Sequence, residues 1–154
     1  MPLFFFTTTH VNLRMDENLI KVQSALNNFV TESNDSFRVT EVNATDISML
    51  SIVHSVIDEF AIIATASKDQ LLFNVTLFDE SQVAEGKIDS LHKMMLELNI
   101  AMPLSSFALT NGNYSIFGAM SVDSSASEIQ EEVLALSENI MDALEVCQNF
   151  FKMD

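Results

Sequence analysis

Residues 102–133 read MPLSSFALTNGNYSIFGAMSVDSSASEIQEEV, and this stretch decides the fold. Pro103 lies just past a run of helical periodicity, where a proline no longer harms a helix. SFALT and YSIFGAMSV then flank Asn111-Gly112, two residues that tolerate positive φ and so favour a tight hairpin. Such a hairpin sets Phe107 and Leu109 against Ile116 and Tyr114. Ser125, with Glu128 three residues later, forms a capping box in which hydroxyl and carboxylate satisfy amide donors at a helix start. Projected at about 100° per residue, Ile129, Val133, Leu136, Ile140, Leu144, Cys147 and Phe151 share one face of that helix. Glu131, Glu138, Asp142 and Glu145 fall opposite.

Upstream, the spacing predicts a second helix over Ser81–Leu98, with Ile88, Leu91, Met95 and Leu98 inward and Lys87 and Lys93 off the stripe. A first helix is expected over Asp16–Val30, where Leu19, Val22, Leu26 and Phe29 recur on one side behind acidic residues that suit a helix start. Between these helices lie four strand-like runs, Phe37–Asn43, Ile47–Val56, Phe60–Ala66 and Leu71–Phe78. Their separators are hairpin-sized, so an antiparallel meander is the economical arrangement. The second run has a composition open to a helix, although its β-branched residues and its alternation of Met49, Ser51, Val53 and Ser55 favour a strand. The third and fourth are apolar on both faces, as central strands are. The expected order is α-β-β-β-β-α-β-β-α, an α+β domain with helices packed on an antiparallel sheet.

The chain has 154 residues, 48% hydrophobic and including twelve Phe, which is ample core for one domain without staples. That domain is read as residues 15–154. Met15 opens a natural helix start, so residues 1–14 read as an N-terminal extension, poorly anchored apart from its Phe run. The opening residues lack the basic n-region and apolar length of a secretory signal, and no run approaches 18 apolar residues, so no direct membrane insertion is expected. Four Asn-x-Ser/Thr matches, at Asn34, Asn43, Asn74 and Asn113, are read as coincidental on the same ground. One cysteine, Cys147, allows no internal disulfide and falls on an apolar stripe, the place of a buried, inert thiol. The expected location is cytoplasmic.

Net charge is −15, from 22 acidic against 7 basic residues. The seven cations are scattered singly, so the phosphate neutralisation that nucleic acids and anionic membranes demand is missing. A protein, or a basic segment of one, fits the charge better. Eight acidic residues against Lys152 follow from Asp123 onward, which concentrates this charge in the last helix.

Candidate chemistry is sparse. The adjacent carboxylates Asp58-Glu59, Asp79-Glu80 and Glu131-Glu132 are read in turns or on a solvated helix face, serving solubility rather than acid/base work. His10, His54 and His92 fall in three different elements, without the helical i, i+4 spacing of a metal site. A triad built on His54 and Asp58 is conceivable but has no motif behind it. With glycine only at 86, 112 and 118, no phosphate-cradling loop exists, and no cofactor is expected. The apolar surplus is more informative. Leu134 and Met141 lie off the core stripe, beside the acidic face, and Met94 sits next to the core position Met95. Met94, Leu134 and Met141 with Glu131, Glu138, Asp142 and Glu145 form the candidate interaction surface, the alternative being a wider core or a dimer seam.

Residues 98–145, LNIAMPLSSFALTNGNYSIFGAMSVDSSASEIQEEVLALSENIMDALE, resemble the YjfI-like family of bacterial proteins, most clearly in MPLSSF and YSIFGAMSV, in the serines before the capping box and in the acidic end. The resemblance implies a cytoplasmic bacterial protein with no catalytic residues to carry over. Members are often encoded beside homologues of phage-shock protein A, a coiled-coil membrane-stress protein, which suggests such a coiled coil as partner. The order of elements is also similar to that of class I type III secretion chaperones and YbjN-like proteins, which are small, acidic and often dimeric. Four strands precede the middle helix here, where those chaperones usually show three. The expectation is a non-enzymatic adaptor or chaperone-like interaction module, a homodimer, linked to membrane-stress machinery. The competing expectation is an enzyme or small-ligand binder whose pocket is assembled from isolated polar residues.

Overall fold

The computed structural model describes residues 15–42 and 46–153; the reading of residues 1–14 as an extension, His10 and the end of the first strand run lie outside them. Helix α1 (Glu17–Leu26) is followed by strands β1 (Phe37–Val42), β2 (Met49–His54), β3 (Ala61–Ala66) and β4 (Gln70–Asp79). Helix α2 (Ile88–Leu98), strands β5 (Ser106–Thr110) and β6 (Asn113–Ser121) and helix α3 (Ala126–Cys147) complete the order expected from the sequence. The sheet is antiparallel throughout, in the order β1-β2-β3-β4-β6-β5, so the two doubly apolar runs occupy its centre. The ambiguous run is strand β2.

Local chemistry accounts for most boundaries. Asp16 caps α1 by accepting from the Asn18 amide at 2.8 Å, and Ser125 and Glu128 form their capping box at the start of α3. Asn111 and Gly112 both take positive φ, 51° and 78°, which closes the β5–β6 hairpin with Phe107 opposite Ile116 and Leu109 opposite Tyr114. Two boundaries differ from expectation. Helix α1 stops at Leu26 rather than Val30, because Asn28 turns to a left-handed φ of 65° and Val30 bridges to Ser36. Helix α2 begins at Ile88 rather than Ser81. Residues 80–82 form a separate 3₁₀ turn, capped by Asp79 and Gln82, and Gly86 then takes a φ of 78°.

The tail beyond α3 explains that late start. Phe151 pairs with Val83 as an isolated bridge, the Ala84 amide donates to the Phe150 carbonyl at 2.8 Å, and the Lys152 amide donates to the Gln82 carbonyl at 2.9 Å. These partners hold the segment after the 3₁₀ turn against the tail, with the Ala84 amide and the Gln82 carbonyl both engaged there instead of in a helix.

All three helices pack on one face of the sheet. Leu19, Val22 and Leu26 of α1 and Ile129, Val133, Leu136 and Ile140 of α3 meet Leu50, Ile52, Ile62, Phe73, Val75 and Ile116 in the core, all essentially without solvent contact. Removing any of these side chains to alanine costs about 2–5 kcal/mol, the cavity included. Two polar ties join the helix layer across the chain: Gln130 Nε2 donates to the Ala25 carbonyl at 2.7 Å, and Lys21 Nζ to the Val122 carbonyl at 2.9 Å. Leu91 and Met95 of α2 enter the same core beside Tyr114 and Phe78, whose ring also meets Phe151 edge-on at 4.8 Å. On the opposite face, Thr40, Ser51, Ile63, Asn74, Phe117 and Ser106 stand in register, one from each strand.

Candidate interaction groove

The terminal strand β5 lies between α2 and α3, and a cleft opens on each side of Phe107. The first, about 210 Å³, is lined by His92, Met95, Leu96 and Asn99 of α2, by Leu109, and by Tyr114. Its walls are mostly apolar, and its polar base is a hydrogen bond of 2.8 Å between His92 Nε2 and Tyr114 Oη. Tyr114 is fully buried; burial, and secondarily the charge of Glu80, raise its pKa, so it stays a neutral phenol at physiological pH. Asn99 Oδ1 accepts the Phe107 amide at 2.6 Å, which satisfies one donor on the edge strand.

The second cleft, about 180 Å³, lies between residues 98–103 and α3, where Asn139, Asp142, Ala143 and Val146 line it. Asn139 is buried on α3 and donates from Nδ2 to the Pro103 carbonyl at 2.8 Å and to Ser105 Oγ at 2.9 Å. Pinned on both sides, Leu104 adopts a φ of 58°, a conformation that costs a leucine about 1–2 kcal/mol. The surroundings are apolar and open: Leu96 is 70% exposed, Ile100 94% and Met141 53%, with Leu104, Leu109 and Val146 also uncovered.

A third cleft, about 360 Å³, lies along the middle of α3, just before the second, lined by Leu134, Ser137 and Glu138 with Thr31, Asp35 and His54. Here His54 is buried, and its Nδ1 accepts from the Val56 and Ile57 amides at 3.1 and 3.3 Å. Its Nε2 faces Asp35 Oδ2 at 3.8 Å. The ring therefore ties the β2–β3 turn to the segment before β1. The carboxylate that pairs with His54 is Asp35, and Nδ1 is engaged by the backbone, so His54 has the ties of a structural histidine. Among the described residues, no three His, Cys, Asp or Glu side chains converge as metal ligands would.

The seven residues of the expected interaction surface do not share one site. Asp142 lines the second cleft, Leu134 and Glu138 line the third, and Glu131 and Glu145 are exposed along α3. Met141 is exposed as expected, whereas Leu134 and Met94 are half-buried against the core. Of the groove residues, the sequence marks Phe107 and Leu109 only as hairpin partners and does not mark Leu96, which falls off the α2 stripe. One carboxylate is placed differently from expectation. Glu132 is 5% exposed rather than solvated, and its Oε1 lies over Gly118 without a hydrogen-bond partner in the described structure. A glycine at 118 makes this possible, since any larger residue would fill the same space. Burial, and then the neighbouring Glu131 charge, raise its pKa. Cys147 is buried as expected, and burial pushes its thiol up to about 11.

The chain belongs to the bacterial family described as "Uncharacterized protein conserved in bacteria (DUF2170)", which matches residues 17–151. No curated protein matches it. Among solved structures, the fold is similar to a chain of the ExsC-ExsE complex, with a TM-score of 0.51 and 10% identity over 71% of this chain and 80% of that one. A chain of the heterodimeric ExoU-SpcU complex from the type III secretion system of Pseudomonas aeruginosa is similar with a TM-score of 0.48 and 13% identity, over 82% of this chain and 93% of that one. The expected α+β, secretion-chaperone-like fold is borne out. At these identities the likeness is one of fold. No helix among the described residues is long and apolar enough to cross a membrane.

Proposed function

We propose that this DUF2170 protein is a non-enzymatic, chaperone-like interaction module that takes a segment of a partner protein along the groove between α2, β5 and α3. One observation carries the reading: two apolar clefts meet at Phe107 beside a terminal strand, with Leu96, Leu109 and Val146 left uncovered around them. Large uncovered apolar surface is a liability that proteins keep where a partner covers it. An extended segment pairing with β5 would use the free part of its edge and set alternate side chains into the clefts. The net charge of −15, with Asp142 in the second cleft and Glu138 and Glu145 about one turn to either side of it on α3, favours basic residues flanking the apolar anchors. The similarity of fold to a chain found in the ExsC-ExsE complex is consistent with such a role.

The YjfI-like resemblance makes a phage-shock protein A-type coiled coil in the bacterial cytoplasm the first partner to test. A tagged pull-down from the native host, at rest and under membrane stress, is expected to recover a specific partner with the wild type and to lose it with Leu96→Asp or Val146→Asp. Unchanged recovery by both variants removes the groove from the proposal, and no specific recovery by the wild type removes the proposal itself. A second reading, a small-ligand binder, is favoured only by the His92–Tyr114 pair at the base of the first cleft. A thermal-shift screen against metabolites separates the two, since a ligand that prefers the native state raises its Tm.

A further inference from the structure

We infer that the sheet face opposite the helices is a self-association surface, on which a second copy of this chain packs face to face. The inference goes beyond the groove and does not depend on it. Its first ground is the residue set. Thr40, Ser51, Ile63, Asn74, Phe117 and Ser106 form a continuous cross-strand row through all six strands, and none of them carries a charge. The neighbouring positions on the same face are of one kind too: Val53 and Ala61 face each other across β2 and β3, and Leu72 lies between Thr65 and Ala119. Ile63, Val53, Leu72 and Phe117 are only half-buried there.

The second ground is electrostatic. A chain with 22 acidic residues repels its own copy at almost any approach. This face is where the repulsion is least. Among the described residues its interior positions include no carboxylate and one cation, Arg38, opposite Val53. Asp79 at the margin is turned into the cap of the next 3₁₀ turn, accepting from Ser81. A basic partner would favour carboxylates, as along α3; a surface cleared of them suits an equally acidic partner, and the nearest such partner is the same protein.

Area is the third ground. Six strands about 4.8 Å apart, each giving five or six residues at about 3.3 Å, make roughly 500 Å² of flat face per copy. Side-chain relief raises the accessible area toward the ~800 Å² per partner of a standard interface. Two such faces stack at about 10 Å, with their strands nearly aligned or crossed.

Light scattering and sedimentation of the full chain over a wide concentration range, at low and high sodium chloride, test this. A dimer is expected, and its dissociation constant should fall as salt rises, because salt screens repulsion between like-charged copies. Phe117→Asp and Ile63→Asp are expected to leave a monomer with an unchanged circular dichroism spectrum, and Leu96→Asp to leave the dimer intact. Asn74→Asp keeps shape and adds one carboxylate per copy to the row; it is expected to weaken association roughly tenfold or more, and it serves if the larger changes unfold the chain. A wild type that is monomeric at both salt concentrations overturns the inference. So does a dimer that survives Phe117→Asp and Asn74→Asp, or one that Leu96→Asp dissolves.

Discussion

The carboxylate of Glu132 on α3 occupies the space above Gly118 on β6 that a side chain at 118 would fill. The Leu104 carbonyl crowds the same space, 2.9 Å from where a β-carbon would stand. Both oxygens border the place a side chain at 118 would take, and the buried Glu132 carboxylate has no hydrogen-bond partner there in the described structure.

Gly118→Ala is therefore expected to destabilise the fold by about 1–3 kcal/mol, since the added methyl must displace a helix side chain and a pinned backbone carbonyl together. Urea denaturation measures this. A midpoint equal to the wild type would mean that α3 can shift away from β6 at no cost.

Glu132→Gln is expected to raise stability at neutral pH. The folded-state pKa of Glu132 lies above its ordinary value, because burial disfavours the charged form. The folded state therefore holds the proton more tightly than the unfolded one. Its stabilising share is fully present below the ordinary carboxylate pKa and is lost as pH rises through the folded value. The amide variant lacks this loss. The difference in Tm between variant and wild type should be positive at neutral pH, shrink as pH falls through the raised folded-state pKa, and be gone below about pH 4, the ordinary carboxylate range. A constant difference across that range would show that the charge is not the cause.

Asn139→Ala removes both donors that hold the 103–105 segment, leaving the Pro103 carbonyl and Ser105 without their partner. A cost of about 1–3 kcal/mol follows for the unsatisfied groups. Because the same segment shapes the second cleft, partner recovery should fall in this variant as well. Pull-down and denaturation on one sample check both.

Cys147 should resist thiol reagents in the folded protein. Its thiol is fully buried and pushed up to about 11, so the reactive thiolate is scarce at neutral pH. Titration with a chromogenic disulfide is expected to give no fast reaction until denaturant is added.

Much of the fold is legible in local chemistry. The 111–112 turn, the capping box at Ser125 and the spacing of Phe107 and Leu109 against Ile116 and Tyr114 each involve residues close in sequence, and the structure has them as read. The central position of β3 and β4 is legible as well, because strands covered by neighbours on both edges can be apolar on both faces. These features depend on short-range periodicity and on backbone preferences that each residue carries with it.

Tertiary structure alone decided the rest. Residues 81–87 have helical composition but lie outside α2, because Phe151 pairs with Val83 from the far end of the chain. Glu132 reads as one more surface acid until β6 brings Gly118 beneath it. The seven expected surface residues divide among clefts because α3 meets the 98–107 segment along one part of its length and the His54 turn along another. The physical reason is the same each time. Periodicity determines which face of an element is apolar, while burial, groove and open sheet face depend on which distant element comes to lie against it.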